Sequence, residues 1–393
     1  MNDFEANKNI VEKIGFNPYY KIIQSGLDNN IIINNDEFIN LAANNYLGLA
    51  NDNRIKQAAI DAINKYGLSL CGTPIATGYI DLFKKVEEEI SSFIGLDDAI
   101  MFSSCYQANN GLFNSLANKD DVVIVDHFAH SSLIQGIKNT GVKMTPFLHN
   151  NIDHLEKILK DSDKYKKRIV VTESVFSTEG SIAPAYEINE LCDKYNAIFV
   201  IDDSHGIGVI GENGRGILEY SKIKAFKGVY TASLGKALAN SGGVICSSKK
   251  VIEYLRYNIP HLIYSTAIVP AVLGGILKTI EIIKNEFANI SKRMWNNKEI
   301  VYRSLNDNGF NIINSKTLIN SIMGGSKENT LTIARFFYEE NILVTPFIEP
   351  SVPLNKGVVR LIVQANLSDE IMENIVKKIK KIGIRYNETF CDN

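Results

Sequence analysis

The sequence predicts a doubly wound α/β domain with a mostly parallel sheet and a smaller α+β domain after it, and three observations carry that prediction. Between residues 97 and 247, short apolar β-type runs alternate with helical ones, the pattern of stacked βαβ units. After a long apolar helical stretch at 268–283 the pattern changes to α+β, with helices near 291–307, 327–340 and 369–381. At 393 residues the chain also exceeds what one hydrophobic core ordinarily covers. The expected division is an N-terminal segment at 1–48, a large domain at 49–288 and a small C-terminal domain at 289–393.

The elements of the large domain follow in order. Strands are expected at 99–103, 122–126, 142–148, 169–175, 197–202, 228–233 and 243–247. One of them, the run AIFVIDD, is expected to bury its apolar strand. Between them lie helical stretches at 107–117, 131–139, 152–159 and 186–194, several of them amphipathic. No internal repeat, low-complexity tract or Pro/Ser-rich linker interrupts the chain.

Composition excludes several function classes. With 42 basic against 44 acidic residues, the formal net charge of -2 gives no electrostatic reason to expect nucleic acid or an anionic membrane as partner. Nowhere do 18 uninterrupted apolar residues occur, and the polar start MNDFEANKNIVEKIGF lacks a signal-peptide core, so a cytoplasmic protein is expected. The cysteines at 71, 105, 192, 246 and 391 form no C-x-x-C pair and read as reduced thiols.

In open parallel sheets, ligands bind beyond the carboxyl ends of the strands, so the polar residues that close each strand are the candidates. Four ends stand out: Ser103-Ser104-Cys105-Tyr106, the run from Asp126 to His130, the run from Asp202 to Gly206, and Ser233-Leu234-Gly235-Lys236. AIFVIDD delivers Asp202 to the sheet edge, where a carboxylate can keep a ring nitrogen protonated and make the ring an electron sink. Lys236 ends another strand, where an amine in a partly desolvated site can form an imine. Singly, Asp202 reads as a helix cap and Lys236 as a solvated loop lysine; both at strand ends in this order favour chemistry, namely a pyridoxal 5'-phosphate (PLP) enzyme with its cofactor on Lys236. Cys105 and Tyr106 open a helix whose free N-H groups can cradle phosphate, although any βα junction offers such groups. His130 can stack on a cofactor ring or merely cap the helix that follows it, and the sequence leaves both readings open.

The segments NNYLGL at 44–49, SSCYQAN at 103–109, IDDSHG at 201–206, GENGRG at 211–216 and SLGK at 233–236 together resemble the α-oxoamine synthases. This group includes 8-amino-7-oxononanoate synthase, 2-amino-3-ketobutyrate CoA ligase, 5-aminolevulinate synthase and serine palmitoyltransferase. The likeness runs in register from about residue 41 to the C-terminal helix. It implies a fold-type I PLP enzyme and a homodimer with active sites at the subunit interface. It further implies an acyltransferase that condenses an amino acid with an acyl-CoA or acyl-carrier thioester, losing carbon dioxide, to give an α-aminoketone. By resemblance, Lys236 is the Schiff-base lysine, Asp202 the partner of the pyridine nitrogen, and His205 and Ser177 the contacts to the ring hydroxyl. His130 stacks on the ring, Cys105, Tyr106 and Ser233 bind phosphate, and Thr266 reaches the phosphate of the other subunit. Asn44 and Arg360 hold the substrate carboxylate. The stretch 128–154 is most similar to the synthases of long-chain aminoketone autoinducers.

The chain also departs from this group. Ser233 stands where many relatives have Thr, which keeps the hydroxyl. Near Pro74 relatives usually carry an Arg or His, and at Phe83 a His, so two polar groups are missing from a segment on the substrate side, and an apolar acyl chain is expected to be preferred over succinyl. A PLP aminotransferase, a catalytically silent partner subunit and a nicotinamide-dependent oxidoreductase are the competing readings. The last rests on Gly206-x-Gly208-x-x-Gly211, but the run GENGRG that follows is too turn-rich to open a helix. A metal hydrolase built on His127, His130, His205 and Asp203 lacks any ligand spacing of the zincin kind, so no metal is expected.

Overall fold

In the computed structural model, which describes residues 9–390, the seven expected runs form one sheet. Two short strands, β1 (Asn30–Ile33) and β2 (Asp36–Asn40), come first. The sheet strands follow: β3 (Asp98–Phe102), β4 (Val122–Asp126), β5 (Lys143–Phe147), β6 (Arg168–Glu173), β7 (Ile198–Asp202), β8 (Val229–Ser233) and β9 (Gly243–Ser247). Their order across the sheet is β3-β9-β8-β7-β6-β4-β5. All run the same way except β9, which is antiparallel to both neighbours. The segment 234–242 before β9 is shorter than the dozen or so residues that a parallel crossover needs, so the chain must return antiparallel. The central strands are buried on both faces: Ile169, Val170 and Val171 have no exposed surface, and each such side chain contributes about 1.5–3 kcal/mol.

The chain divides into two compact units. One comprises 52–176 and 182–289 and contains this sheet; the other comprises the described residues up to Asn51, the short segment Ser177–Ser181, and 290 onward. In the second unit, β10 (Ile319–Gly325), β12 (Thr345–Phe347) and β13 (Gly357–Ile362) form an antiparallel sheet with β13 in the middle, while β11 (Ile342–Leu343) pairs with β2. Val359, Leu361 and Ile322 pack there against Phe337, Ile375 and Ile379 of the helices Lys327–Glu339 and Asp369–Phe390. No helix among the described residues is long and apolar enough to cross a membrane.

Three expectations need correction. The helices expected at 268–283 and 291–307 are one helix, Pro270–Asp307, because the polar stretch between them holds neither Gly nor Pro and nothing breaks the hydrogen-bond ladder. The C-terminal helix runs on to Phe390, past the expected end at 381. Phe83 does not face an open pocket: it is 1% exposed in the helix Asp81–Ile94, its ring 5.5 Å from that of Tyr79, so its apolar character serves the core and says nothing of substrate. The four described cysteines form no disulfide, and Cys391 lies outside the described residues.

Candidate active site

Because β3 to β8 point one way, their carboxyl ends meet at one edge, and the sequence candidates of this unit gather there. Asp202 is the last residue of β7 and is 4% exposed. Its Oδ2 accepts from Asn109 Nδ2 at 2.7 Å and its Oδ1 from the Ser204 backbone N-H at 2.9 Å, so the carboxylate is held from both sides. Lys236 stands half-buried in the return loop after β8, which Leu234 and Leu238 root in the core and which closes through Leu234 N-H to Gly242 O (3.0 Å) and Ala239 N-H to Lys236 O (2.9 Å). Ser204 Oγ ties the neighbouring pieces together, accepting from Ser233 N-H at 2.9 Å and lying 3.5 Å from Cys105 Sγ. His205 beside it is buried, at 5% exposure.

The helix Cys105–Leu116 begins at this edge, capped by Ser104, whose Oγ accepts from Gln107 N-H at 3.1 Å. That cap leaves the first N-H groups, on Cys105 and Tyr106, with no carbonyl a turn earlier to bond. Gly243 permits the helix start to sit so close: a Cβ there would stand 2.3 Å from Cys105 Cα and 2.5 Å from its nitrogen. Burial pushes the Cys105 thiol well up, with Asp202 adding to the rise and Ser204 and Lys236 opposing it. This thiol is therefore protonated and inert as a nucleophile. Thr266 is exposed, and its carbonyl accepts from Ser103 Oγ at 3.2 Å.

His130 does cap the helix Ser131–Thr140, its ring nitrogen Nδ1 accepting from Ser132 N-H at 3.2 Å and lying 2.7 Å from Ser132 Oγ. Burial lowers its pKa from the ordinary value, Asp202 raises it and Lys236 lowers it, so all three lie within electrostatic reach of one another. The imidazole is neutral at pH 7. Because the unfolded chain takes up this proton near pH 6.5 and the folded chain only at lower pH, stability falls as pH drops through that window. Thermal unfolding of the cofactor-free protein at about pH 7.5 and about pH 5.5 checks this: the wild type is expected to lose more stability than His130→Gln, and equal losses would mean His130 is not held neutral.

The other candidates, Asn44, Ser177 and Arg360, belong to the other unit. Arg360 lies mid-β13, 5% exposed, with its guanidinium carbon 4.8 Å from the centroid of Phe347. Its Nη1 donates to Ser177 O at 3.0 Å, while its Nε is buried without a partner. Burial lowers its pKa and Tyr46 opposes this, yet a guanidinium stays charged. Burial in turn pushes the Tyr46 hydroxyl up to about 12, against the pull of Arg360. Asn44, two residues before Tyr46, has a buried Oδ1 without a partner. The surrounding turn is fixed by Asn45 Nδ2 to Gln364 Oε1 at 2.9 Å and Ala365 N-H to Tyr46 O at 2.9 Å. Of these two unused atoms, Arg360 Nε is a donor suited to an anion, whereas Asn44 Oδ1 is an acceptor that takes a donor instead.

The sequence reading gives no role to Asn109, Ser204 or Gly243, although Ser204 stands in the polar run that closes β7. Asn109 had a signal, lying four residues after Cys105 and so on the same helix face; the bond from Ser233 N-H to Ser204 Oγ and the approach of Gly243 to Cys105 join segments distant in sequence. The glycine-rich run after Asp202 forms turns, with Gly216 at φ +85 and Asp203 Oδ2 accepting from Ile217 N-H at 2.8 Å, and no long helix opens there. Burial pushes Asp203 up to about 7, and its carboxyl also accepts from Tyr230 OH at 2.8 Å, so it is a structural brace. Among the described residues no group of three or more His, Cys, Asp or Glu is placed to hold a metal.

Residues 36–379 match the family model described as aminotransferase class I and II. The chain is 32% identical to the 8-amino-7-oxononanoate synthase of Alkaliphilus metalliredigens, over 92% of each protein. It is also 32% identical to that of Thermoanaerobacter pseudethanolicus, over 96% of this chain and 95% of the relative. Among solved structures it is similar to the serine palmitoyltransferase of Sphingomonas wittichii, with a TM-score of 0.92, 25% identity and coverage of 97% and 98%. An 8-amino-7-oxononanoate synthase from Francisella tularensis gives a TM-score of 0.75 at 26% identity, with coverage of 89% and 99%. With the fold, the sheet-edge cluster and these likenesses in agreement, the chain belongs to the aminotransferase class I and II family and, within it, to the α-oxoamine synthases.

Proposed function

We propose that this protein is an acyltransferase that joins an amino acid to an acyl thioester, releasing the thiol and carbon dioxide and leaving an α-aminoketone. The observation that carries the reading is the grouping of Lys236, Asp202 and His130 at the carboxyl edge of the sheet, beside a helix start with open N-H groups. The cofactor is pyridoxal 5'-phosphate, as in the serine palmitoyltransferases solved with it. The residues fit it: a Cβ at Gly243 would fill the space at the helix start, and Asp202 is held by two donors as a partner for a ring N-H.

When bound, PLP supplies an aldehyde carbon for an amine and a protonated ring that accepts the electron pair of a broken Cα bond. Lys236 holds the group by its amine and, once freed, removes the proton from the substrate's α-carbon. Asp202 keeps a proton on the ring nitrogen. Ser233 and the N-H groups of Cys105 and Tyr106 would bind the phosphate, joined by Thr266 of a second copy, and the resemblance assigns His205 and Ser177 to the ring hydroxyl. His130, neutral, would lie against the ring face and would donate to the thioester oxygen as charge builds there. Arg360 and Asn44 take the substrate carboxylate, the guanidinium through its unused Nε and Asn44 through its Nδ2, and the charged guanidinium is the stronger holder. The chain acts as a cytoplasmic homodimer.

With Phe83 in the core, Pro74 alone still favours an apolar acyl group over a charged one. Apolar contact adds roughly 0.8 kcal/mol per buried methylene, so medium-chain donors are expected to outperform succinyl. An isotope-traced screen of amino acids against acetyl-, succinyl- and medium-chain acyl-CoAs, read by mass spectrometry, checks both points. The expected product is an aminoketone lacking the carboxyl carbon of the amino acid. A clear preference for succinyl would defeat the apolar preference, and absence of any aminoketone would defeat the reading.

A further inference from the structure

The segment Ser177–Ser181 lies in sequence between β6 and β7, yet it is built into the unit that holds Arg360. Its main chain is gripped at three carbonyls, those of Ser177, Thr178 and Gly180. Arg360 Nη1 donates to Ser177 O at 3.0 Å, and Ser321 Oγ donates to Thr178 O at 2.5 Å. Ser321 and Arg360 are cross-strand partners in β10 and β13, so their side chains share one face and reach neighbouring carbonyls. The next grip is at Gly180 O, which accepts from Ser315 Oγ at 3.1 Å and from Thr317 Oγ1 at 3.2 Å. These two hydroxyls are 2.9 Å apart and both buried, and Lys298 Nζ donates to the Ser315 carbonyl at 3.3 Å from beneath. Gly180 has φ +71, and a Cβ there would meet Ser315 Oγ at 2.2 Å and Thr317 Oγ1 at 2.6 Å, so the seat accepts glycine alone.

The guanidinium of Arg360 thus lies over the Phe347 ring and donates to the Ser177 carbonyl, and the segment carrying that carbonyl is held by three serine and threonine hydroxyls at Thr178 O and Gly180 O. We infer that Ser315, Thr317 and Ser321 are positioning residues for carboxylate recognition: by seating the Ser177–Ser181 segment they aim the remaining guanidinium hydrogens of Arg360 at the substrate. They touch no substrate themselves. The inference rests on the reading of Arg360 as the carboxylate holder.

The test uses the PLP-loaded protein and two matched pairs of probes, L-alanine with ethylamine and L-serine with ethanolamine, titrated by the change in cofactor absorbance. Each pair differs only in the carboxylate, so the ratio of affinities within a pair reads carboxylate recognition and is blind to general loss of stability. The wild type is expected to prefer the amino acids, and Arg360→Gln to lose that preference. Ser321→Ala and the double variant Ser315→Ala/Thr317→Val are each expected to cut the preference by about tenfold, the worth of one charge-assisted hydrogen bond, while Thr317→Ser keeps it. Ser321→Ala removes a single hydroxyl and provides the reading should the double variant fold poorly. If Arg360→Gln loses the preference while Ser321→Ala and the double variant keep it in full, the inference is overturned and the role of Arg360 stands. If Arg360→Gln keeps the preference, the role of Arg360 fails and the inference with it.

Discussion

Replacing Lys236 with alanine is expected to lower turnover by about a thousandfold or more, since it removes both the amine that carries the cofactor and the base that takes the α-proton. The fold should survive, because the loop that presents Lys236 is anchored by Leu234, Ala237 and Leu238, all essentially without exposed surface. Borohydride treatment of the wild type should fix a phosphopyridoxyl group on Lys236, and peptide mapping locates it. A label on another lysine, or an alanine variant that turns over at the wild-type rate, would remove Lys236 from its role.

Asp202→Asn is expected to keep the cofactor bound and to lower kcat by about 10²–10³, the usual scale for removing one well-placed electrostatic group. An amide cannot hold the ring nitrogen protonated as a carboxylate does. The substitution should be structurally mild, because Asn109 can turn its side chain: its Oδ1, buried and without a partner, would then accept from the new amide. Kinetics beside a circular dichroism melt check both halves. Full activity in this variant would show that the charge of Asp202 is not what the ring requires.

The large sheet was legible in the sequence because strands buried on both faces leave unbroken apolar runs, and each run ends where a polar residue meets the sheet edge. Asp202 and Ser233 stand at the ends of β7 and β8 for that reason. Contacts between distant segments were not legible. Gly243 looks like any glycine before a strand until Cys105 is seen 2.3 Å from where its Cβ would be. Phe83 read as a missing polar group because the sequence shows which residue is present but not which way it points, and it points into the core. The helix Pro270–Asp307 reads as two because its long apolar stretch ends at 283, although residues other than Gly and Pro continue a helix readily. The seating of Ser177–Ser181 by Ser315, Thr317 and Ser321 has no local trace at all, since its partners lie well over a hundred residues away.

What separates a synthase from an aminotransferase is where the α-carbon's electron pair goes: to an acyl carbon in the first, and to a proton on the cofactor in the second. The most direct measurement is therefore thiol release beside evolved carbon dioxide, with the purified PLP-loaded protein, an amino acid and an acyl-CoA. Thiol and carbon dioxide are expected in equal amounts, both dependent on the acyl donor, with little turnover from the amino acid alone. Formation of a 2-oxo acid without thiol release would contradict this account and make the protein an aminotransferase.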